Sequence, residues 1–374
     1  MGLFRRKRKW YEHYGYNDSR LSQHRVRWGV VVPVFVLLIV CGCAAFCFWP
    51  VSDDRAEKAT VLVENKSCYA LEVPGVDTLY FSTFDRKNGF GRMQIVEDSA
   101  VVSRYATGFF VSGPQPWNLC DGRVVTSTQV VRPLIPLTKL NMELRKYLNI
   151  LQNKVLAEKK IIDHQASEFK YYVETHNEED DGYDQVLLYY RKLDNRKGYL
   201  DKIENCVVKA LRMNNVKVSY RSNMSLVYRT ETADTSYVGR YNASVLASES
   251  DSELALLHTT DSVMPEGSKS IRIAPFSIFD GVDHDMRVWL TGFNIGAVES
   301  RNIEKVKPAV MQGTLGQMSQ QSGNADDVIR TWSHTIPTLQ WSEGSVIRSR
   351  KGFVVGINQG DKMVEVKAVR RLMQ

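Results

Sequence analysis

The sequence predicts a mainly β domain, its antiparallel strands forming a sandwich or barrel, with an inserted α-helical hairpin and an N-terminal membrane helix. Three observations predict it. From Gly29 to Phe48 no residue is charged, and about twenty apolar residues are what a helix needs to cross a bilayer. From about Asp77 to Val131, and again from Val216 nearly to the C-terminus, short β-rich runs alternate with Gly, Asn and Asp breaks. Between those stretches, residues 137–175 contain no Gly or Pro, and their apolar positions recur at helical spacing.

Residues 1–28 form a basic tail. They hold eight basic residues (Arg5, Arg6, Lys7, Arg8, Lys9, Arg20, Arg25, Arg27) against Glu12 and Asp18, so most of the formal charge of +7 lies here. Concentrated beside an apolar span, that charge is an orientation signal and a lipid-headgroup contact. It excludes a nucleic-acid patch on the rest of the chain. Residues 29–49 are expected to be the transmembrane helix, with Trp28 and Trp49 at its two interfaces. The apolar run is longer than a signal-peptide core, and no small-x-small cleavage site stands out, so the anchor is expected to stay. The basic side faces the cytosol, and the bulk of the chain is then periplasmic or extracellular.

Residues 50–74 are mixed and polar, and are expected to be a stalk. Runs such as Thr78-Leu79-Tyr80-Phe81 and Met93-Gln94-Ile95-Val96 mark strands over 75–136, and β-type sequence resumes over 216–374. Within 137–215, Leu144, Leu148, Leu151, Val155 and Ile162 share one helical face. The acidic turn Asn177–Gly182 follows, and then Leu187, Leu200, Ile203 and Val207 on a second helix. Two such helices make an antiparallel hairpin of the coiled-coil kind, roughly 50 Å long. It is either a solvated arm packing only on itself or a docking arm for a partner or a second copy.

Six cysteines do not make a disulfide scaffold. Cys41, Cys43 and Cys47 fall in the apolar span, which leaves Cys68, Cys120 and Cys206, and at most one bridge. No closely spaced His/Cys set suggests a metal, and nothing implies a cofactor.

Four segments carry a resemblance. Ala106–Ser112, followed by Gly122-Arg123-Val124-Val125-Thr126-Ser127-Thr128-Gln129-Val130-Val131, resembles the trypsin-like serine proteases in their bacterial HtrA-type form. In that family a Gly-x-Gly-Phe strand leads to Thr-Asn-x-His-Val-Val, and here Gln129 stands in the histidine slot. Ser252–Leu257 resembles the strand with the catalytic aspartate, putting Glu253 in its place and Asp251 two residues earlier. Asp285–Gly296 resembles the Gly-Asp-x-Val loop, with Asn294 near the family's proline, and Val310–Gly316 resembles the strand that follows. Gln340-Trp341-Ser342-Glu343-Gly344-Ser345 resembles the Gly-Asn-Ser-Gly-Gly-Pro loop, with Ser342 as nucleophile and Gln340 at the oxyanion-hole glycine. The segments run in family order over roughly 75–131 and 216–365, and imply a two-barrel trypsin-like fold. No PDZ-like domain is left over, unlike most HtrA-type proteins.

Serine needs a base to take its proton, and histidine suits because it titrates near working pH. A carboxamide cannot accept that proton, so Gln129 removes the base. Another imidazole would have to serve. His13 and His24 precede the apolar span, His164 and His176 lie in the arm, and His284 precedes Asp285, which leaves His258 and His334 as the two candidates. The resemblance therefore implies a membrane-anchored domain that holds a peptide or protein without cutting it. The alternatives are an endopeptidase using Ser342 with another base, and a structural protein that oligomerises through 137–215.

Overall fold

The computed structural model describes residues 32–38, 41, 50–112, 122–231, 236–273, 281–295, 303, 306–320 and 329–374. Of the expected membrane helix, residues 32–38 and 41 are helical and the remainder lies outside the described residues. Among the described residues no helix is long and apolar enough to cross a membrane.

Residues 50–74 are not a stalk. Ser52 caps helix α1 (Asp53–Ala59) by accepting from Arg55 N, and Asp53 and Asp54 sit in the first turn, where the helix dipole favours acid. The chain then enters β1 (Thr60–Glu72), buried along almost its whole length. The polar residues that made this stretch look solvated are internal and hydrogen-bonded within the protein. Glu64 pairs with Arg240 and accepts from the Tyr105 hydroxyl at 2.9 Å, and the Asn65 amide donates to Val130 O at 2.6 Å.

After β1 come β2 (Leu79–Phe81), β3 (Phe84–Asp85), β4 (Gly89–Phe90), β5 (Val102–Ser112) and β6 (Arg123–Ser127), then a short helix α2 (Thr128–Val131). Next are the three helices of the insertion: α3 (Leu137–Met142), α4 (Leu144–Thr175) and α5 (Tyr183–Arg212). The chain returns through β7 (Lys217–Glu231), β8 (Ser236–Glu249), β9 (Leu254–Thr259) and β10 (Ile271–Arg272). Pairing runs β5-β6-β9-β8-β7-β1, and the antiparallel β1–β5 ladder closes that ring of six strands. Val61, Val63, Phe110, Val124, Leu226 and Leu257 fill it.

A second closed barrel follows: β11 (Arg287–Gly292), β12 (Ala309–Gln320), β13 (Arg330–His334), β14 (Val346–Ser349), β15 (Val354–Gln359) and β16 (Lys362–Glu365), in the order β11-β12-β13-β16-β15-β14. The C-terminal helix α6 (Val366–Leu372) buries Val366, Val369 and Leu372 against a core shared with Ala56, Phe109 and Ile357. Two six-stranded barrels are the architecture that the family resemblance implies.

The helical insertion does not pack only on itself. Beyond Ser67, β1 leaves the barrel ladder, keeps β7 on one side and takes β2 on the other. This extension presents Tyr69, Leu71, Leu79, Phe81 and Val218 to the roots of α4 and α5, where Leu148, Leu151, Leu200 and Val207 close one apolar cluster. Farther out the seam is held by ion pairs, Arg196 to Glu158 at 2.7 Å and Lys197 to Asp163 at 2.6 Å. A half-buried position there takes a snorkelling charged side chain more readily than a leucine.

Candidate functional site

The segments singled out in the sequence meet where the barrels join. Ser127 ends β6 and caps α2, its hydroxyl accepting from Gln129 N at 3.2 Å. Glu253 lies just before β9 with a positive φ of 55°. Its carbonyl accepts from Thr128 N at 2.8 Å and from the Gln359 amide at 3.0 Å. The loop of Ser342 comes across from the second barrel. Thr107 N of β5 donates to Glu343 O at 2.9 Å, and the Thr107 hydroxyl donates to Trp341 O at 2.7 Å while accepting from Phe293 N at 2.9 Å. One threonine of the first barrel thus ties two loops of the second.

The approach is close because Gly344 has no side chain. Its φ is +82°, and a Cβ there would lie 2.2 Å from Thr107 O and 2.9 Å from Ser127 N. Only glycine meets both conditions. Gly344 N completes the contact by donating to Asn358 O at 2.8 Å.

Ser342 is fully buried. Its hydroxyl donates to Leu339 O at 2.6 Å and accepts from the Asn358 amide at 3.2 Å. Its backbone N–H donates to the same Leu339 O at 3.0 Å. The two groups that acyl-transfer chemistry would use at this position, the nucleophilic oxygen and an oxyanion donor, are both spent on one carbonyl. Residues Gln340–Ser342 form a single 3₁₀ turn, and Gln340 is not among the positive-φ residues, so the conformation a glycine gives this slot is not adopted. Leu339 is fixed in turn, because its N–H donates to Asn294 Oδ1 at 2.6 Å and the Asn294 amide donates to Pro337 O at 3.1 Å.

Gln129 is exposed on α2, and only its backbone joins the network, its carbonyl accepting from Arg104 at 2.8 Å. Asp251 and Glu253 are exposed as well. His334 reaches Ser342 through one amide: its Nε2 lies 2.8 Å from Asn358 Oδ1. Burial pushes its pKa down, against the opposing effect of the Asn358 hydrogen bond. The Asn358 atom facing Ser342 is Nδ2, a donor, so this bridge carries no proton away from the hydroxyl. His258 lies within β9, where it pairs with Arg123 and Ser244. His284 pairs with Asp285 at 2.9 Å, His164 and His176 belong to α4 and its C-cap, and His13 and His24 lie outside the described residues.

Glu343, at a slot where the family has glycine, packs its carboxyl into the junction 3.4 Å from the Ser127 hydroxyl. Burial raises its pKa, the nearby Glu253 carboxylate adds to this, and Ser127 opposes it. Sequence reasoning missed Leu339, Asn358, Glu343 and Gln359 as members of this network. The signal that could have found two of them is the position of Asn358 and Gln359 directly after the apolar run Val354-Val355-Gly356-Ile357. Cys68 and Cys206 are buried free thiols, and Cys120 lies outside the described residues. Among the described residues no cluster could hold a metal ion.

No protein-family model matches the sequence, and no curated relative matches it either. Solved structures do. The fold is similar to the MamO protease domain from Magnetospirillum magneticum, at 13% identity over 72% of this chain and 88% of that one, with a TM-score of 0.34. It is similar to Deg5 at 10% identity, covering 85% of this chain and 88% of that one, with a TM-score of 0.37. It is also similar to the HtrA-type protease AlgW, solved with a decapeptide, at 10% identity, 86% and 64% coverage and a TM-score of 0.37. Likeness at this level concerns the fold alone.

Proposed function

We propose that this chain is a membrane-anchored pseudoprotease: a trypsin-like double barrel, held outside the cytosol by residues 29–49, that binds a peptide or protein partner without cleaving it. The observation that supports inactivity most directly is the Leu339 carbonyl, which takes both the hydroxyl and the N–H of Ser342. With Gln129 in the histidine slot, no base among the described residues lies in hydrogen-bond contact with the Ser342 hydroxyl. The partner would add as an extended strand along the barrel junction, the mode in which main-chain hydrogen bonds supply affinity.

A fluorophosphonate probe tests this on the full chain in detergent. The expected result is no labelling of Ser342 under conditions that label an active serine hydrolase to completion. Labelling that disappears in Ser342→Ala would overturn the proposal. The second reading is an endopeptidase with His334 as its base; because Asn358 turns its amide donor to Ser342, that base could serve only if the Asn358 side chain moved aside. That reading requires His334→Ala to abolish labelling along with Ser342→Ala.

A further inference from the structure

Away from the barrel junction, an open pocket of about 260 Å³ lies at the root of the helical arm. Its floor is aromatic and aliphatic: Phe84 and Tyr147 meet edge to face with ring centroids 4.7 Å apart, beside Ile135 and Leu140. Its rim is basic, carrying Arg86, Lys139 and Lys146 against the single carboxylate of Glu143. Glu143 is already engaged. It accepts from the Tyr147 hydroxyl at 2.8 Å and lies 3.5 Å from Lys146 Nζ. The Tyr147 hydrogen bond, and then the charges of Lys146 and Lys139, hold its carboxyl below the usual carboxylate range. Among the described residues the Arg86 and Lys139 side chains make no ion pair or hydrogen bond, and with Lys146 they outnumber Glu143, so the mouth keeps a net positive charge.

We propose that this pocket is a binding site for a small aromatic acid, its ring against Phe84 and Tyr147 and its carboxylate or phosphate on Arg86 and Lys139. Size sets the limit on the ligand. Pockets that take drug-sized ligands measure about 300–1,000 Å³, so this smaller one suits a single ring and a head group. An aromatic floor favours a flat apolar body that meets it edge to face or offset. The unpaired guanidinium and ammonium supply the charge-assisted hydrogen bonds an anion requires. None of these residues belongs to the barrel junction, so the site stands whether or not Ser342 is reactive.

The test is titration calorimetry on the full chain in nanodiscs, with phenylacetate and phenyl phosphate as probes. At least one is expected to bind with a Kd of about 1 mM or tighter, in line with the modest affinity of ligands this small. Which of the two binds more tightly identifies the head group. Phenylacetamide, which keeps the ring and loses the charge, is expected to bind about 10-fold more weakly or worse. Arg86→Ala combined with Lys139→Ala is expected to abolish binding while leaving the melting temperature unchanged, since both side chains are exposed. The proposal is overturned if neither probe binds the folded chain at 10-fold that concentration, if the double variant binds as well as the parent, or if inorganic phosphate binds as tightly as phenyl phosphate.

Discussion

Replacing Gly344 by alanine tests how the barrels are joined. At a φ of +82° an L residue pays the left-handed penalty, about 1–2 kcal/mol. The new Cβ would also lie 2.2 Å from a backbone carbonyl, Thr107 O, and 2.9 Å from Ser127 N. Neither can swing aside as a side-chain tip does, so the loop must lift, a displacement of the overpacking kind worth about 1–3 kcal/mol. Lifting it breaks the Thr107 N–H bond to Glu343 O, worth about 1 kcal/mol. The total is about 3–6 kcal/mol. Gly182 is the internal control, because its φ is +87° and nothing lies within 4 Å of a Cβ there. Gly182→Ala should therefore cost only the conformational share, about 1–2 kcal/mol. Thermal unfolding of the full chain in detergent is the assay. At roughly 2 °C per kcal/mol for a domain of this size, Gly344→Ala should melt about 6–12 °C lower and Gly182→Ala about 2–4 °C lower. Equal drops would show that the barrels do not meet at Gly344.

Glu343→Gln probes the buried acid. Its folded pKa is raised by burial and by Glu253, from an ordinary value of 4.5. The folded state therefore keeps its proton to higher pH than the unfolded chain, and stability falls as pH rises through the folded value. Glu343→Gln should be more stable than the parent at pH 8, with the difference vanishing toward pH 4; melting curves that stay parallel across that range would contradict it. Arg348 is 3% exposed and donates to Val51 O at 3.0 Å, Asp53 Oδ1 at 2.7 Å and Thr291 Oγ1 at 2.9 Å. Arg348→Met should cost about 2–4 kcal/mol by chemical denaturation; the exposed Asp53 regains water, which keeps the loss below that of a fully buried pair. Replacing residues 157–198 by a short turn should leave the melting temperature within about 5 °C of the parent, because the root of the arm keeps its core. Removing all of 137–215 should instead give insoluble protein, since it bares Tyr69, Leu71 and Phe81. Light scattering on the shortened form decides whether the outer arm oligomerises: an unchanged mass per particle would exclude it.

Most barrel strands were legible because their runs carry short-range signals, Leu254-Ala255-Leu256-Leu257 and Val310-Met311-Gln312-Gly313-Thr314-Leu315-Gly316 among them, and they occur in family order. The arm was legible from helical periodicity. Its attachment was not, since Tyr69 and Leu71 reach the arm only through strand pairing with β2 and β7, contacts that no local pattern encodes. The mistaken stalk has the same cause. Glu64 and Asn65 look solvated when taken by themselves, and their partners Arg240 and Val130 are distant in sequence.

At the site, the sequence shows which side chains are missing, while the structure shows which backbone groups are spent. On the proposed reading, Gln129 and Glu253 are defects of identity, which substitution alone can reverse. The Leu339 carbonyl is a defect of conformation, fixed by Asn294 on one side and by the packed Gln340–Ser342 turn on the other. Writing histidine and aspartate back into the two slots would supply a base and its orienting charge, yet the hydroxyl would still donate to Leu339 and the oxyanion donor would still be occupied. Triad groups act as a unit, so restoring part of the arrangement restores little. Gln129→His with Glu253→Asp should therefore remain unlabelled by a fluorophosphonate. If that pair alone gained reactivity, the hold of Leu339 on Ser342 would have to be weak enough for substrate or probe to break.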